Sequence, residues 1–263
     1  MINDGTKDKS AEIAKEYARN DYRIKVYDFQ NCGVSVARNR GLFYSRGEYI
    51  VFVDGDDWVA TNMLSDLIHY ANSTDVDMIK YGVEEINFAR NKHNLIKFNN
   101  KRIYCNNILK KYFEGVLWTM PCNALYKREL ALSVRFPEGL TYEDNYTAGM
   151  YLALAKKVLV VPDIYYFYRV NPQGASKGGV KYPLDKCLVI YRLITDLKGL
   201  YIDPEMFCWK FAVEVYHFIR GWNNLYRVCA VEKNFLYYVM SRLDIRRKMS
   251  LLYIVFKKRI LIK

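Results

Sequence analysis

Apolar and polar positions follow two rhythms along the first third of the chain. Ala11, Ala14, Tyr17 and Ala18 recur at helical spacing, and Asp8 is placed to cap that helix. Residues 23–27 alternate as a strand does. Gly33 opens a turn, and Ser35 stands where a second helix would be capped, that helix ending near Gly47. The apolar run Tyr49-Ile50-Val51-Phe52-Val53 predicts a strand over residues 48–53. Thr61 or Asn62 starts a third helix with Met63, Leu64, Leu67, Ile68 and Ala71 on one face, and residues 77–83 read as the next strand. This β-α-β-α-β order predicts a parallel, doubly wound sheet.

Further along, the polar, Asn-rich residues 87–107 read as loop or edge structure. Helical patterns return at 108–113 and 125–132, Pro137-Glu138-Gly139 is a turn, residues 143–154 are helical and 158–161 form a short strand. Beyond Tyr182 the pattern is helical to the end. The chain of 263 residues thus divides into an α/β domain over 1–182 and a helical appendage over 183–263. Only Met1 and Ile2 precede the turn Asn3-Asp4-Gly5-Thr6. Such a turn normally follows a strand, so a leading β-α unit of about 30 residues is expected ahead of it.

Composition narrows the partners. Hydrophobic residues make up 51% of the chain, enough for a sizeable core. The net charge of +12 would suit nucleic acid, an anionic membrane surface or a phosphorylated substrate. Its basic residues gather at the C-terminus, which favours a surface-binding tail and argues against nucleic acid. The six cysteines form no C-x-x-C pair and read as free thiols of a reducing compartment. No apolar run approaches the ~20 residues of a spanning helix, and no signal peptide is visible. A cytoplasmic protein, at most resting on the inner face of a membrane, is expected.

The chemistry concentrates in Asp54-Gly55-Asp56-Asp57, at the end of the apolar run. A strand there would project three carboxylates from its carboxyl end, where ligands bind in open α/β sheets. Clustered carboxylates repel one another unless a cation sits among them, so the pattern points to a divalent metal and a phosphate-bearing substrate. An EF-hand is excluded, because Val59 stands where the loop needs glycine and Ser65 where it needs the closing glutamate. The haloacid dehalogenase phosphotransferases place D-x-D-x-Thr/Val after a strand, but Trp58 occupies the Thr/Val position.

Three segments in order resemble family 2 glycosyltransferases of the GT-A fold. Asn3-Asp4-Gly5-Thr6-Lys7-Asp8-Lys9-Ser10 is similar to the family's Asp-Asp-Gly-Ser-Thr-Asp-x-Ser segment, with Asn3 in place of the first aspartate. Gly33 to Gly41 resembles Gly-x-Ser-x-Ala-Arg-Asn-x-Gly, and Phe52 to Asp57 resembles the D-x-D strand end. The resemblance covers most of residues 1–175. It implies a Rossmann-like, mostly parallel sheet and inverting, metal-dependent transfer from a nucleoside-diphosphate-sugar, a UDP-sugar above all. Asp56 and Asp54 would hold Mg²⁺ or Mn²⁺, with Asp57 in support. Asp4 would contact the nucleobase or ribose, and Arg38 and Arg169 the diphosphate. Glu143-Asp144 is similar to the family's Glu-Asp motif, which makes Asp144 the base and Glu143 its support; locally, Thr141 and Asp144 also fit a helix capping box. Cys122 to Leu130 resembles an Asn-Lys-Leu-Tyr-Lys-Arg segment with Ala124 in the lysine's place, and Tyr165 to Arg169, followed by Ser176, resembles the stretch that closes the domain near the phosphates.

The acceptor implied is a glycan or lipid-linked glycan of a bacterial surface polysaccharide. Arg246, Arg247 and Lys248 align with Lys257, Lys258 and Arg259 on a helix, and residues 242–263 read either as an interfacial helix on anionic lipid or as a helix packed on the catalytic domain. Two rivals stand beside the transferase: a haloacid dehalogenase-like phosphotransferase and a catalytically impaired remnant.

Overall fold

The computed structural model describes residues 1–106, 108–118, 120–171 and 183–200. Two compact units divide the chain: Met1–Ile108 with Thr119–Lys177, and Leu109–Trp118 with Gly178–Lys263. In the first unit the predicted helices form as α1 (Ser10–Asn20), α2 (Val34–Tyr44) and α3 (Met63–Thr74), joined by short α5 (Arg128–Leu132) and by α6 (Glu143–Leu154). α1 is not closed by a side chain at its N-cap, Lys9, but Asp8 accepts the amide of Ser10 at 2.9 Å. Ser35 lies inside α2 and does not cap it: the cap is Gly33, at φ +91°, and the buried Ser35 hydroxyl has no hydrogen-bond partner among the described residues. Met63, Leu67 and Ala71 of α3 face the core as the periodicity requires, while Leu64 is exposed.

The strands are β1 (Ile2–Asn3), β2 (Tyr27–Asp28), β3 (Tyr49–Val51), β4 (Trp58–Val59), β5 (Met78–Asn87), β6 (Lys92–Ile96), β7 (Arg102–Tyr104), β8 (Ala124–Lys127) and β9 (Val158–Arg169). Seven of them form one sheet in the order β3-β8-β5-β9-β4, with β6 on β5 and β7 on β9; β1 and β2 pair in parallel as a separate ribbon. The main sheet is mixed. β5 and β9 run parallel, and β3 shares their direction because both β3 and β5 are antiparallel to β8. The predicted parallel order survives in these three strands. β6, which has no crossover helix before it, returns antiparallel onto β5 through a single 3-10 turn.

Two segments differ from the pattern. Of residues 125–132, read as helical, 128–132 form α5 but 125–127 belong to strand β8, because Leu125 and Tyr126 take central positions between β3 and β5 and burial overrides local propensity. The strand expected at 158–161 continues to Arg169. The Asn-rich stretch supplies the edge strands β6 and β7. Under the sheet, α3 packs with Ile79, Tyr81, Val83, Leu125, Leu159, Tyr165 and Tyr166 in one apolar cluster. The second unit contains most of α4 (Ile108–Phe113) and α7 (Pro183–Gly199), in which Val189, Ile190, Leu193, Ile194 and Leu197 are buried at helical spacing. Ser176 and the basic tail lie outside the described residues. No helix among those described is long and apolar enough to cross a membrane. Cys32, Cys105 and Cys122 are free thiols.

Candidate active site

β3 ends at Val51, and the chain turns through Asp54-Gly55-Asp56-Asp57, with the Asp57 amide bonded to the Asp54 carbonyl at 3.1 Å. Tyr166 of β9 fixes the turn. Its hydroxyl accepts the Asp54 amide at 3.1 Å and donates to Asp57 at 2.6 Å. The second oxygen of Asp57 accepts the Arg169 amide at 2.8 Å. Burial pushes the Asp57 carboxyl above its ordinary value, while these two bonds pull the other way. Asp57 is therefore a structural staple between the turn and β9, consistent with the supporting role expected of it.

Asp54 and Asp56 are left facing outward. Asp56 is exposed and makes no hydrogen bond or ion pair among the described residues; one Asp54 oxygen lies 3.4 Å from the Arg38 guanidinium. Among the described residues no cluster of three or more His, Cys, Asp or Glu side chains could bind a metal ion by itself. Two hard carboxylates fit the way Mg²⁺ is commonly held, by one or two side chains with the remaining oxygens from substrate phosphates and water.

Arg38 is the hub. One nitrogen bonds Glu143 Oε1 at 2.6 Å while another approaches Asp54, and its guanidinium lies 5.4 Å from the Phe136 ring centre. The side chain is only 14% exposed, and its Nε is buried without a hydrogen-bond partner among the described residues. Burial works against its charge, yet the two carboxylates outweigh this and hold its pKa above the ordinary arginine value. Burial, then neighbouring Asp144, push the Glu143 carboxyl up against the pull of Arg38. A single side chain thus brings the metal-type turn and the Glu143-Asp144 pair, 89 positions apart in sequence from Asp54 to Glu143, into one site.

Glu143 and Asp144 begin α6, where carboxylates meet the positive end of the helix. The N-cap is Tyr142, in the left-handed region at φ 64°, one residue beyond the Thr141 expected to begin a capping box. Asp144 Oδ1 accepts both the amide and the side-chain nitrogen of Asn145 at 2.9 Å. Asn39, which the motif contained but residue-by-residue reasoning left without a role, buckles the preceding loop onto α2: it accepts the Phe136 amide at 2.9 Å and donates to Phe136 O and Glu138. Its position one residue after Arg38 was the available signal.

Asp4 lies at the end of β1. It accepts the amides of Cys32 and Gly33, the latter at 2.8 Å, and the Arg40 guanidinium at 3.2 Å. Gly5 adopts φ +78°, and a Cβ there would come within 2.8 Å of the Asn31 amide, so this turn requires glycine. Asp4 therefore ties the first turn to the loop that enters α2. Arg169 is exposed and sits over Trp58 and Phe88, at 5.5 and 5.9 Å from their ring centres. In the segment where Ala124 stands for lysine, Lys80 of the adjacent strand reaches Asn123 Oδ1 at 2.7 Å. Lys80 is the register partner of Ala124, whose small side chain is fully buried. Burial lowers the Lys80 pKa to about 7. Sequence patterning had no signal for this pair, because it depends on which strand lies beside β8.

Residues 1–134 match the model of the family described as "Glycosyl transferase family 2". Among curated proteins, the chain is 31% identical over 201 residues to the uncharacterized glycosyltransferase EpsJ of Bacillus subtilis, a match covering 72% of this chain and 57% of EpsJ. It is 32% identical over 181 residues to the minor teichoic acid biosynthesis protein GgaB of the same organism, over 67% of this chain and 20% of GgaB. The chain therefore spans little more than half of EpsJ and a fifth of GgaB. Among solved structures, residues 1–349 of S. aureus TarS in complex with UDP-GlcNAc superpose with a TM-score of 0.71 at 19% identity, covering 98% of this chain and 78% of that one. That likeness establishes the shared GT-A fold.

Proposed function

Because the chain belongs to glycosyltransferase family 2, we propose that it transfers a sugar from a nucleoside diphosphate to an acceptor hydroxyl, with inversion at the anomeric carbon. A UDP-sugar is the first donor to test, since the TarS structure of the same fold was solved with UDP-GlcNAc. The acceptor is a glycan or lipid-linked glycan of bacterial surface polysaccharide synthesis, in keeping with the teichoic acid role in the name of GgaB. The observation that carries the reading is the Arg38 bridge. It joins an outward-facing pair of acids, suited to a diphosphate and its cation, to a second acid pair that a single displacement needs on the opposite side of the reacting carbon.

In this reading Asp54 and Asp56 would hold Mg²⁺ or Mn²⁺, which when bound neutralises the charge developing on the leaving diphosphate. Asp144 takes the proton of the attacking hydroxyl. Glu143, gripped by Arg38, fixes the first turn of α6 so that Asp144 keeps its position. Arg38 offers donors toward the diphosphate only through the same guanidinium that holds Glu143, which links donor arrival to the base. Asp4 shapes the loop on the nucleoside side, and Arg169 stands at the edge of the turn within reach of phosphate oxygens. The family match sets aside the phosphotransferase rival. A location at the inner membrane face, reached through residues 242–263, remains part of the proposal.

Calorimetric titration with UDP-, GDP- and dTDP-sugars in the presence of Mn²⁺ tests the reading. One donor should bind, and Asp54→Asn should abolish the Mn²⁺-dependent part of its affinity. Absence of binding to every donor would sink the catalytic reading and favour the remnant.

A further inference from the structure

Next to the acidic turn, one face of the sheet carries aromatic rings. Register partners in a sheet share a face. The row Val59–Tyr166–Val83–Ile96 crosses β4, β9, β5 and β6 and lies in the apolar core. The next row, on the other face, is Trp58–Phe167–Glu84–Leu95. The core cluster does not include this row, in which Leu95 is 51% exposed while Trp58, Phe167 and Glu84 are half-buried. Trp58 and Phe167 stack with ring centres 5.7 Å apart and planes 11° apart. After the turn at Asn87, Phe88 adds a third ring, 6.2 Å from Trp58 and tilted by 28°, and it is 66% exposed. Arg169 lies over Trp58 and Phe88, and Glu84, paired with His93 at 2.7 Å, stands on the same face.

We propose that this shelf of Trp58, Phe88 and Phe167, rimmed by Arg169 and Glu84, binds a pyranose ring of the acceptor saccharide. The inference rests on the transferase reading for its acceptor, and on the shelf alone for its chemistry. A pyranose presents an apolar C–H face that packs on a ring, with hydroxyls around its edge. The shelf offers the complement: the Phe88 ring, 66% exposed at one end of the stack, with the Arg169 guanidinium over the rings and the Glu84 carboxylate on the same face. A protein partner fits less well, because the buried centres of protein interfaces are depleted of charge, whereas here Glu84 sits within the row itself. Place also matters. Trp58 follows Asp57 directly, and the Arg169 amide is bonded to the Asp57 carboxylate, so a ring on the shelf lies beside the turn assigned to the donor diphosphate.

The full chain would be titrated with maltotriose, cellotriose and chitotriose at millimolar concentrations, read by tryptophan emission and by saturation-transfer NMR. At least one should give a saturable change that disappears from the emission signal in Trp58→Phe; this control is needed because the chain has four tryptophans. Phe88→Ala, at an exposed position outside the core, should weaken that saccharide by about 5- to 10-fold, the effect of losing one well-placed ring contact. Phe88→Tyr should restore it, and neither variant should alter UDP-sugar affinity. Failure of all three saccharides to bind, or equal binding by Phe88→Ala, overturns the proposal. Donor binding without saccharide binding would strike the shelf alone. Saccharide binding without donor binding would strike the transferase reading and leave the shelf as a carbohydrate surface.

Discussion

The Asp4 side of the site, proposed to face the nucleoside, and its carboxylate side are held in different ways. Among residues 1–34 only Ala14 is buried, and Ile13 and Tyr17 of α1 are exposed. What fixes β1 and β2 is one aromatic stack, Tyr27 on Tyr44 at 4.0 Å, and a set of polar bonds: Asn3 to Asp28, Asp4 to the Cys32 and Gly33 amides, and the terminal amine to the Lys25 carbonyl. On the carboxylate side, Ile79, Leu125, Leu159 and Tyr166 are almost wholly buried, and Tyr166 and Arg38 tie that core to the acidic residues. A hydrogen bond contributes about 1 kcal/mol net. Burial of a large apolar side chain contributes about 1.5–3 kcal/mol. The two sides carry sequence motifs of equal clarity, yet only one is anchored in the core. Motif order locates a site; it does not measure how firmly each part is held.

The largest expected effect separates chemistry from binding. Asp144→Asn should lower kcat by roughly 10²–10⁴-fold, the usual range for a lost general base. UDP-sugar affinity measured by calorimetry should stay within about twofold, since no donor contact is assigned to Asp144. A parallel fall in donor affinity would place Asp144 with the donor and dissolve the division between the two acid pairs.

Next comes the core beneath the carboxylates. Lys80 has a folded pKa of about 7 against an ordinary 10.5, because burial penalises its charge. Between those values the unfolded chain holds a proton that the folded chain lacks, so this group makes stability rise with pH from about 7 to about 10.5. Lys80→Met should flatten that rise in urea titrations across the same window, by an amount on the order of a few kcal/mol at its upper end. An unchanged slope would mean that the ammonium stays charged, held by Asn123. Tyr166→Phe is smaller: losing the bonds to Asp54 and Asp57 should cost about 1–3 kcal/mol in the same titrations. It should also weaken Mn²⁺-dependent donor binding, because the turn carrying Asp54 and Asp56 loses its staple.

Much of this was legible in the chain. The helix at 143–154 and the core stripe of α3 follow from periodicity, and the acidic turn from a strand that ends in carboxylates. Residues 125–127 misled because Leu125 and Tyr126 satisfy either period, and only their place between β3 and β5 decides. The mixed sheet was hidden for the same reason, since strand direction belongs to pairing. Arg38 was legible as a site residue but not as a bridge. Its hold on Glu143 depends on Asn39 and Phe136 bringing a distant loop onto α2. Tyr166 was legible only as part of the stretch from Tyr165 to Arg169 that resembles the segment near the phosphates; its bonds to Asp54 and Asp57 depend on where β9 lies.

The smallest effect bears on the opening contrast most directly. If the nucleoside side is held mainly by surface hydrogen bonds, it should open without unfolding the sheet. Amide hydrogen exchange followed by NMR would then show Tyr27 and Phe29, whose amides bond the Met1 and Asn3 carbonyls, exchanging well before Ile79 and Leu159. Asp4→Asn should sharpen the difference. Asparagine keeps one acceptor oxygen but loses the charge that holds Arg40 and the second oxygen that meets the Gly33 amide. Exchange at Cys32 and Gly33 should speed up by about 3- to 10-fold, a loss on the order of 1 kcal/mol, with Ile79 and Leu159 unmoved. Should the core amides speed up equally, the two sides would be one cooperative unit, and the separate ribbon of β1 and β2 would be as firmly anchored as the seven-stranded sheet.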